Sequence, residues 1–265
     1  MHPADMVLLA RSRWPHLAIH CPSAHEATER LADDIAARLR QAVAARGEAL
    51  LCVSGGKSPV ALFEALQVRV LPWSELTVSL VDERCVPSDH PDSNARLVMQ
   101  HLLQGAAAQA RFVPLISPMA VSQGASSRAS ARAADLEAAA AAANAAVAAL
   151  PVPDVLVLGM GADGHTASWF PHSPDLARAL DRGSDECVCA VRLPDPPPHP
   201  NHPRLTMTLS QVLRARCIVL PVQGADKLAT LARAAFDAGP PGLDALPIAH
   251  VLNQTTAPVA LWLPC

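Results

Sequence analysis

The residues best placed to do chemistry lie between Pro153 and Pro174, in the stretch PDVLVLGMGADGHTASWFPHSP. Val155, Leu156, Val157 and Leu158 form a continuous apolar run, the pattern of a strand buried on both faces. The run gives way to Gly159, Gly161 and Gly164, where backbone amides can turn and approach a bound group closely. Asp163 and His165 therefore stand at the carboxyl end of that strand, where open α/β sheets bind their ligands. An imidazole there exchanges a proton near neutral pH, which suits a general base. Asp163 either orients His165 or caps the turn. Asp82, at the end of another apolar run, and Asn94 complete the candidate catalytic set; Asn94 either donates to a developing oxyanion or caps a helix.

The three glycines also satisfy G-x-G-x-x-G. A dinucleotide site needs a long helix behind them and an acidic residue about 20 positions on, at a strand end. Pro171 and Pro174 stop any helix after about two turns, and Asp181 and Asp185 fall in a polar stretch. A second candidate site is Ser54-Gly55-Gly56-Lys57-Ser58, between a strand and a helix start, where free amides and the positive helix end can receive an anion. It lacks the G-x-x-x-x-G-K-[ST] spacing of a nucleoside-triphosphate loop. Arg204 and Lys227 are the cations that would join it. Lys227 lies in the first turn of an expected helix, where a cation opposes the macrodipole unless an anion sits between. Metal ligation finds little support: Cys187 and Cys189 share a strand face but no further pair has zinc spacing. His90, His172, His199 and His202 are expected at the surface. Neither a metal nor a cofactor is expected.

Apolar periodicity supplies the elements that must hold these groups. Strands are expected over residues 17–21, 49–53, 76–81, 155–158, 187–193, 204–208, 217–222 and 259–263. Ser23 and Glu26 read as a capping box opening a helix whose Leu31, Ile35, Leu39 and Val43 recur at helical spacing up to Gly47. Pro59 suits the first turn of the next helix. Asp92 or Ser93 caps another reaching Leu103, an alanine-rich helix spans 124–150, and a further one spans 225–236. Residues 193–204, LPDPPPHPNHPR, are too rich in proline for regular structure and form a loop. Strands alternating with helices imply a single α/β domain over residues 1–265, with a mostly parallel, Rossmann-like sheet flanked by helices on both faces.

At 265 residues and 51% hydrophobic content the chain can fill a large core. A net charge of −3 and a pI near 6.4 give no basic field for nucleic acid or an anionic membrane. No run approaches the roughly 18 apolar residues of a spanning helix, and the first residues lack the apolar core of a secretory signal. The seven cysteines include no CxxC pair and mostly sit in apolar runs, so buried thiols are expected in preference to a disulfide framework. A cytoplasmic protein is expected, as a monomer or small homo-oligomer.

Residues 159–171 closely resemble the G-M-G-x-D-G-H-T-A-S-x-F-P segment of the 6-phosphogluconolactonases, relatives of the glucosamine-6-phosphate deaminases. Ser54-Gly55-Gly56-Lys57-Ser58-Pro59 resembles that family's S-G-G-x-[TS]-P loop. Asp82-Glu83-Arg84-Cys85-Val86-Pro87, with Ser93-Asn94, resembles its D-E-R-x-V-P…S-N block. The three motifs occur in order, and the likeness runs from about Ser23 to the last strand. It implies the NagB-type α/β fold and a cofactor-free hydrolysis of 6-phosphogluconolactone, a sugar phosphate of the pentose phosphate pathway. Under this resemblance His165 activates water and Asp82 holds a sugar hydroxyl or the ring. Arg84, Gly161 and Gly164 join the substrate contacts, and Arg204 and Lys227 match positions that bind the sugar phosphate with residues 54–58. The chain departs from the pattern at Ala95, where relatives commonly carry an aromatic residue. It also departs from the deaminase branch, whose D-G-H is followed by an isoleucine, an alanine and then F-N-E-P, whose glutamate assists ring opening. Thr166-Ala167-Ser168-Trp169-Phe170-Pro171 has no carboxylate, which favours lactone hydrolysis over deamination or isomerisation. A sugar-phosphate sensor of this fold would usually carry a DNA-binding helix-turn-helix, for which the residues before Leu17 are too few.

Overall fold

Short runs of valine, leucine, isoleucine and alanine build the strands, because β-branched and apolar side chains suit a pleated surface buried on both faces. A computed structural model describes residues 3–116, 129–236 and 246–264. In chain order the strands are β1 (Ala18–His20), β2 (Ala49–Val53), β3 (Leu76–Leu80), β4 (Asp82–Arg84), β5 (Arg111–Val113), β6 (Val155–Val157), β7 (Val188–Val191), β8 (Arg204–Met207), β9 (Ile218–Pro221) and β10 (Val259–Trp262). Seven of them pair in parallel in the order β1-β10-β9-β6-β2-β3-β5. The other three form a small antiparallel sheet, β4-β8-β7.

That order decides where a ligand can go. From β2 the chain steps outward to β3 and β5, then returns to the other side of β2 and steps outward again through β6, β9 and β10. Right-handed crossovers that reverse direction in this way put helices on both faces. They also leave a crevice outside the carboxyl ends of the two strands where the direction changes. Those strands are β2 and β6, in register with Val53 opposite Val157.

The helices follow their sequence signals closely. They are α1 (Pro3–Arg13), α2 (Ala27–Arg46), α3 (Val60–Gln67), α4 (Asn94–His101), α5 (Ala129–Ala148), α6 (Leu176–Ala179), α7 (Leu209–Val212), α8 (Ala225–Phe236) and α9 (Ala249–Leu252). In α2 Leu31, Ile35 and Leu39 are buried, and the helix ends at Gly47, whose N–H donates to the Val43 carbonyl. Ser23 does not cap it as expected. Its hydroxyl donates to the Glu26 carboxylate instead, so Glu26 becomes the flanking residue and the helix starts later. Pro59 likewise lies just outside α3. Ser93 caps α4 by accepting from the Arg96 amide. The expected start of the alanine-rich helix, at 124–128, lies outside the described residues.

Some elements were not expected. α1 lacks an apolar stripe yet buries Met6, Val7 and Ala10. The expected strand at 76–81 ends at Leu80, and Asp82 opens β4 in the second sheet. A hydrogen bond from the Met207 amide to the Val81 carbonyl, 2.7 Å, ties the two sheets together at that step. Residues 193–204 form no helix or strand before Arg204, as their composition requires. Cys52, Cys85, Cys187, Cys189 and Cys217 carry free thiols. Cys21 is disulfide-bonded, which corrects the thiol expectation at that residue. Among the described residues, no helix is long and apolar enough to cross a membrane.

Candidate active site

The crevice at the ends of β2 and β6 opens into a cavity of about 600 Å³, a size typical of small-molecule sites. Ser54, Gly55, Gly56, Lys57 and Ser58 reach it from the loop after β2, and Gly161 and His165 from the loop after β6. Asp82 and Arg84 reach it from β4, Asn94 from α4, Arg204 from β8 and Lys227 from α8. Two residues expected among the contacts are not in its wall. Asp163 stands behind His165, and Gly164 is buried against Leu246.

His165 Nδ1 lies 2.6 Å from Asp163 Oδ1, and the same oxygen accepts from the His165 amide at 3.2 Å. A carboxylate facing Nδ1 fixes the proton on that nitrogen and leaves the Nε2 lone pair available for a substrate proton. Burial works against the charge on Asp163, but its hydrogen bond and ion pair with His165 hold it below the usual carboxylate range. The Asp163 carboxylate both faces the imidazole and takes the His165 amide of the turn, so its geometry fits both roles open to it. Gly161 makes this possible, since a Cβ there would overlap both the His165 ring and the Asp163 carboxylate. The Phe170 ring, centred 4.8 Å from the imidazole, closes its other side.

Asn94 packs against the first glycine of the β2 loop so closely that a Cβ on Gly55 would overlap its amide. Its Nδ2 donates to the Asp82 carbonyl at 2.8 Å. Helix capping belongs to Ser93, leaving the Asn94 side chain to the cavity wall. Ser54 Oγ and Asn94 Oδ1 are buried there without a hydrogen-bond partner, a state that proteins rarely leave unexplained. Asp82 is buried, and its Oδ2 accepts from Ser168 Oγ at 2.6 Å. Ser168, which sequence reasoning passed over, occupies the segment where the deaminase branch carries its glutamate.

Glu83 was also missed. Acidic residues are usually solvated, yet this one is 1% exposed on the opposite face of β4 from Asp82 and Arg84. Its Oε1 accepts from the amides of Arg84 and Asn94, at 2.6 and 2.8 Å. Its Oε2 accepts from the Ala95 amide at 2.7 Å and Ser93 Oγ at 3.1 Å. Burial pushes its carboxyl upward, while these donors favour the ionised form. It thereby pins the start of α4, and Asn94 with it, to β4. In Glu83→Gln one acceptor becomes a donor facing donors. An unfolding titration is expected to show a loss of about 1–3 kcal/mol, the penalty for buried polar groups left unpaired.

Arg84, Arg204 and Lys227 bring positive charge to the cavity wall. In the β4–β8 register Arg84 stands directly opposite Arg204. Like charges in that relation destabilise a sheet unless something negative lies between them. Arg204 was expected just before a strand; it is the first residue of β8 and only 3% exposed. Burial and the charge of Arg84 push it down to about 10. Its guanidinium donates to the carbonyls of Pro200, at 2.7 Å, and His202, and lies 5.9 Å from the Phe170 ring centre. Lys227 Nζ donates to Ser58 Oγ at 3.0 Å, joining the first turn of α8 to the loop that opens α3. Burial lowers its pKa. Pro198 and His199 also line the cavity, so part of the proline-rich loop is wall, and His199 is exposed there as expected.

A family model described as glucosamine-6-phosphate isomerases/6-phosphogluconolactonase matches residues 22–262. The chain belongs to this family. Its relatives include the 6-phosphogluconolactonase of Pseudomonas aeruginosa, 50% identical over 211 residues, covering 79% of this chain and 81% of that protein. The 6-phosphogluconolactonase of Rhizobium meliloti is 42% identical over 238 residues, covering 89% and 94%. The crystal structure of a 6-phosphogluconolactonase from Shewanella baltica superposes with a TM-score of 0.80 at 36% identity, covering 94% of this chain and 98% of that one. In this isomerase/lactonase family member, the three motif segments singled out in the sequence all converge on the one crevice.

Proposed function

We propose that the chain hydrolyses 6-phospho-D-glucono-1,5-lactone to 6-phosphogluconate, a step of the pentose phosphate pathway, with His165 as general base. The observation that carries this reading is the Asp163-held imidazole sharing one cavity with Arg84, Arg204 and Lys227. His165 Nε2 takes a proton from water as the water oxygen adds to the lactone carbonyl carbon. The second N–H of Asn94 Nδ2, whose first is held by the Asp82 carbonyl, donates with amides of the glycine loops to the oxygen that becomes negative. When the tetrahedral adduct collapses, the bond from the carbonyl carbon to the ring oxygen breaks, and His165 returns the proton to that oxygen. Arg204 and Lys227, with residues 54–58, hold the phosphate, and Asp82 accepts from a sugar hydroxyl. No step calls on a cofactor. A single cytoplasmic domain suffices for this chemistry.

Residues 166–171 carry no carboxylate to assist ring opening, which sets the deaminase reaction aside. Acid release from freshly made 6-phosphogluconolactone, beside ammonia release from glucosamine 6-phosphate, tests both. Acid release well above the spontaneous rate is expected. Ammonia without lactone hydrolysis would overturn the proposal.

A further inference from the structure

Two loops meet beside the cavity, and three side chains converge where they touch. His90 and Asp92 lie on the loop between β4 and α4; His202 lies 110 residues later in sequence, at the end of the proline-rich loop. His202 Nε2 is 2.9 Å from Asp92 Oδ2, and His90 Nδ1 is 3.8 Å from the same oxygen. All three candidate donor atoms lie within 4.8 Å of one another, the only such group among the described residues.

We propose that His90, Asp92 and His202 form a binding site for a divalent transition-metal ion of the zinc class. Two imidazole nitrogens and one carboxylate oxygen are a donor set for such ions, whereas calcium and magnesium take oxygen alone. Tetrahedral zinc with bonds of about 2.0–2.2 Å places its ligand atoms about 3.3–3.5 Å apart. The observed spacings bracket that value, so side-chain shifts of about 1 Å complete the geometry. The lone pair of His90 Nδ1 is turned to the Asp92 amide, which donates to it at 3.1 Å. An ion takes over that lone pair and replaces the His202–Asp92 hydrogen bond. All three side chains are half-buried, which leaves the fourth position to water.

Each loop is anchored separately, which preorganises the ligands. Arg84 Nη1 donates to the Asp92 carbonyl at 2.7 Å, and Arg204 holds the carbonyls of Pro200 and His202. The two cavity arginines thus support the metal ligands from behind. A bound ion would pin the segment bearing Pro198 and His199, and with it one wall of the cavity, without touching the reacting atoms. The site is regulatory or stabilising, and distinct from His165.

The test is isothermal titration of the metal-stripped full chain with zinc chloride. One ion per chain is expected in the wild type and in His165→Ala. Binding is expected to weaken at least about tenfold in His202→Ala, and likewise in the near-isosteric Asp92→Asn. Circular dichroism melts verify that both variants fold. Zinc held equally well by folded His202→Ala and Asp92→Asn would assign it to the cysteines or elsewhere. Zinc lost with His165 would assign it to the cavity. Either result, or no binding by the wild type, overturns the proposal.

Discussion

Replacing His165 by alanine is expected to lower kcat for lactone hydrolysis by about 10²–10⁴-fold, the usual contribution of a positioned general base. KM should change little, because the phosphate and hydroxyl contacts lie on other residues. Removing the imidazole also frees Asp163 from its hydrogen bond and ion pair. These are the interactions that hold its carboxyl below the usual range despite burial. With the partner gone, burial is left opposed only by backbone hydrogen bonds, and the Asp163 pKa should rise. A depressed carboxylate stabilises the fold above its unfolded pKa and loses that contribution as pH falls through its folded one. Acid unfolding of His165→Ala should therefore begin at a higher pH than in the wild type. Initial rates measured against the spontaneous hydrolysis blank check the first part. A kcat loss under about threefold would mean that another group activates the water.

Arg204→Met and Lys227→Met should separate recognition from chemistry. Each removes charge-assisted hydrogen bonds to the phosphate, worth roughly 1.5–3 kcal/mol, or about 10- to 150-fold in kcat/KM. The loss should fall on 6-phosphogluconolactone and spare unphosphorylated gluconolactone, which makes no such contact. The two variants are not equivalent, however. Among the described residues the Lys227 ammonium donates to Ser58 alone. Arg204 also ties down Pro200 and His202, so its removal loosens the loop behind Pro198 and His199 while relieving the repulsion from Arg84. Lys227→Met is thus the cleaner probe, and assays of both lactones read it. Equal losses on the two substrates would assign these residues to the fold or the chemistry.

Much of this arrangement was legible in the sequence because its marks are local. A buried strand followed by a glycine turn announces itself within about ten residues, and so do Ser93 before α4 and Gly47 after α2. His165, Asp82 and the β2 loop were placed on that basis. What was not legible depends on pairing between distant residues. β4 has three residues and starts two after β3 ends, so it reads as a continuation of that strand. Only its pairing with β8, more than a hundred residues on, reveals a second sheet and sets Arg84 against Arg204. Glu83 sits in a charged tripeptide that looks solvated, and its burial follows from which face of β4 meets α4. The same non-locality hides the meeting of Asp92 and His202. The proline-rich loop was correctly read as irregular, but nothing in its composition says that one side of it faces a cavity.

The pairing of β1 with β10 has a consequence for synthesis. Ala18, Ile19 and His20 find their partners at Ala260, Leu261 and Trp262, almost at the far end of the chain. As the chain emerges from the ribosome, the first strand to appear must wait for the last before its backbone groups are paired. The centre of the sheet around β2, β3 and β6 can assemble meanwhile, since its strands arrive earlier. One flank of the nascent protein stays open until β10 has emerged, an exposed edge of the kind that invites association with other chains. Lys227 is likewise among the later parts to emerge, so the nascent chain holds most of its core before it can hold its substrate.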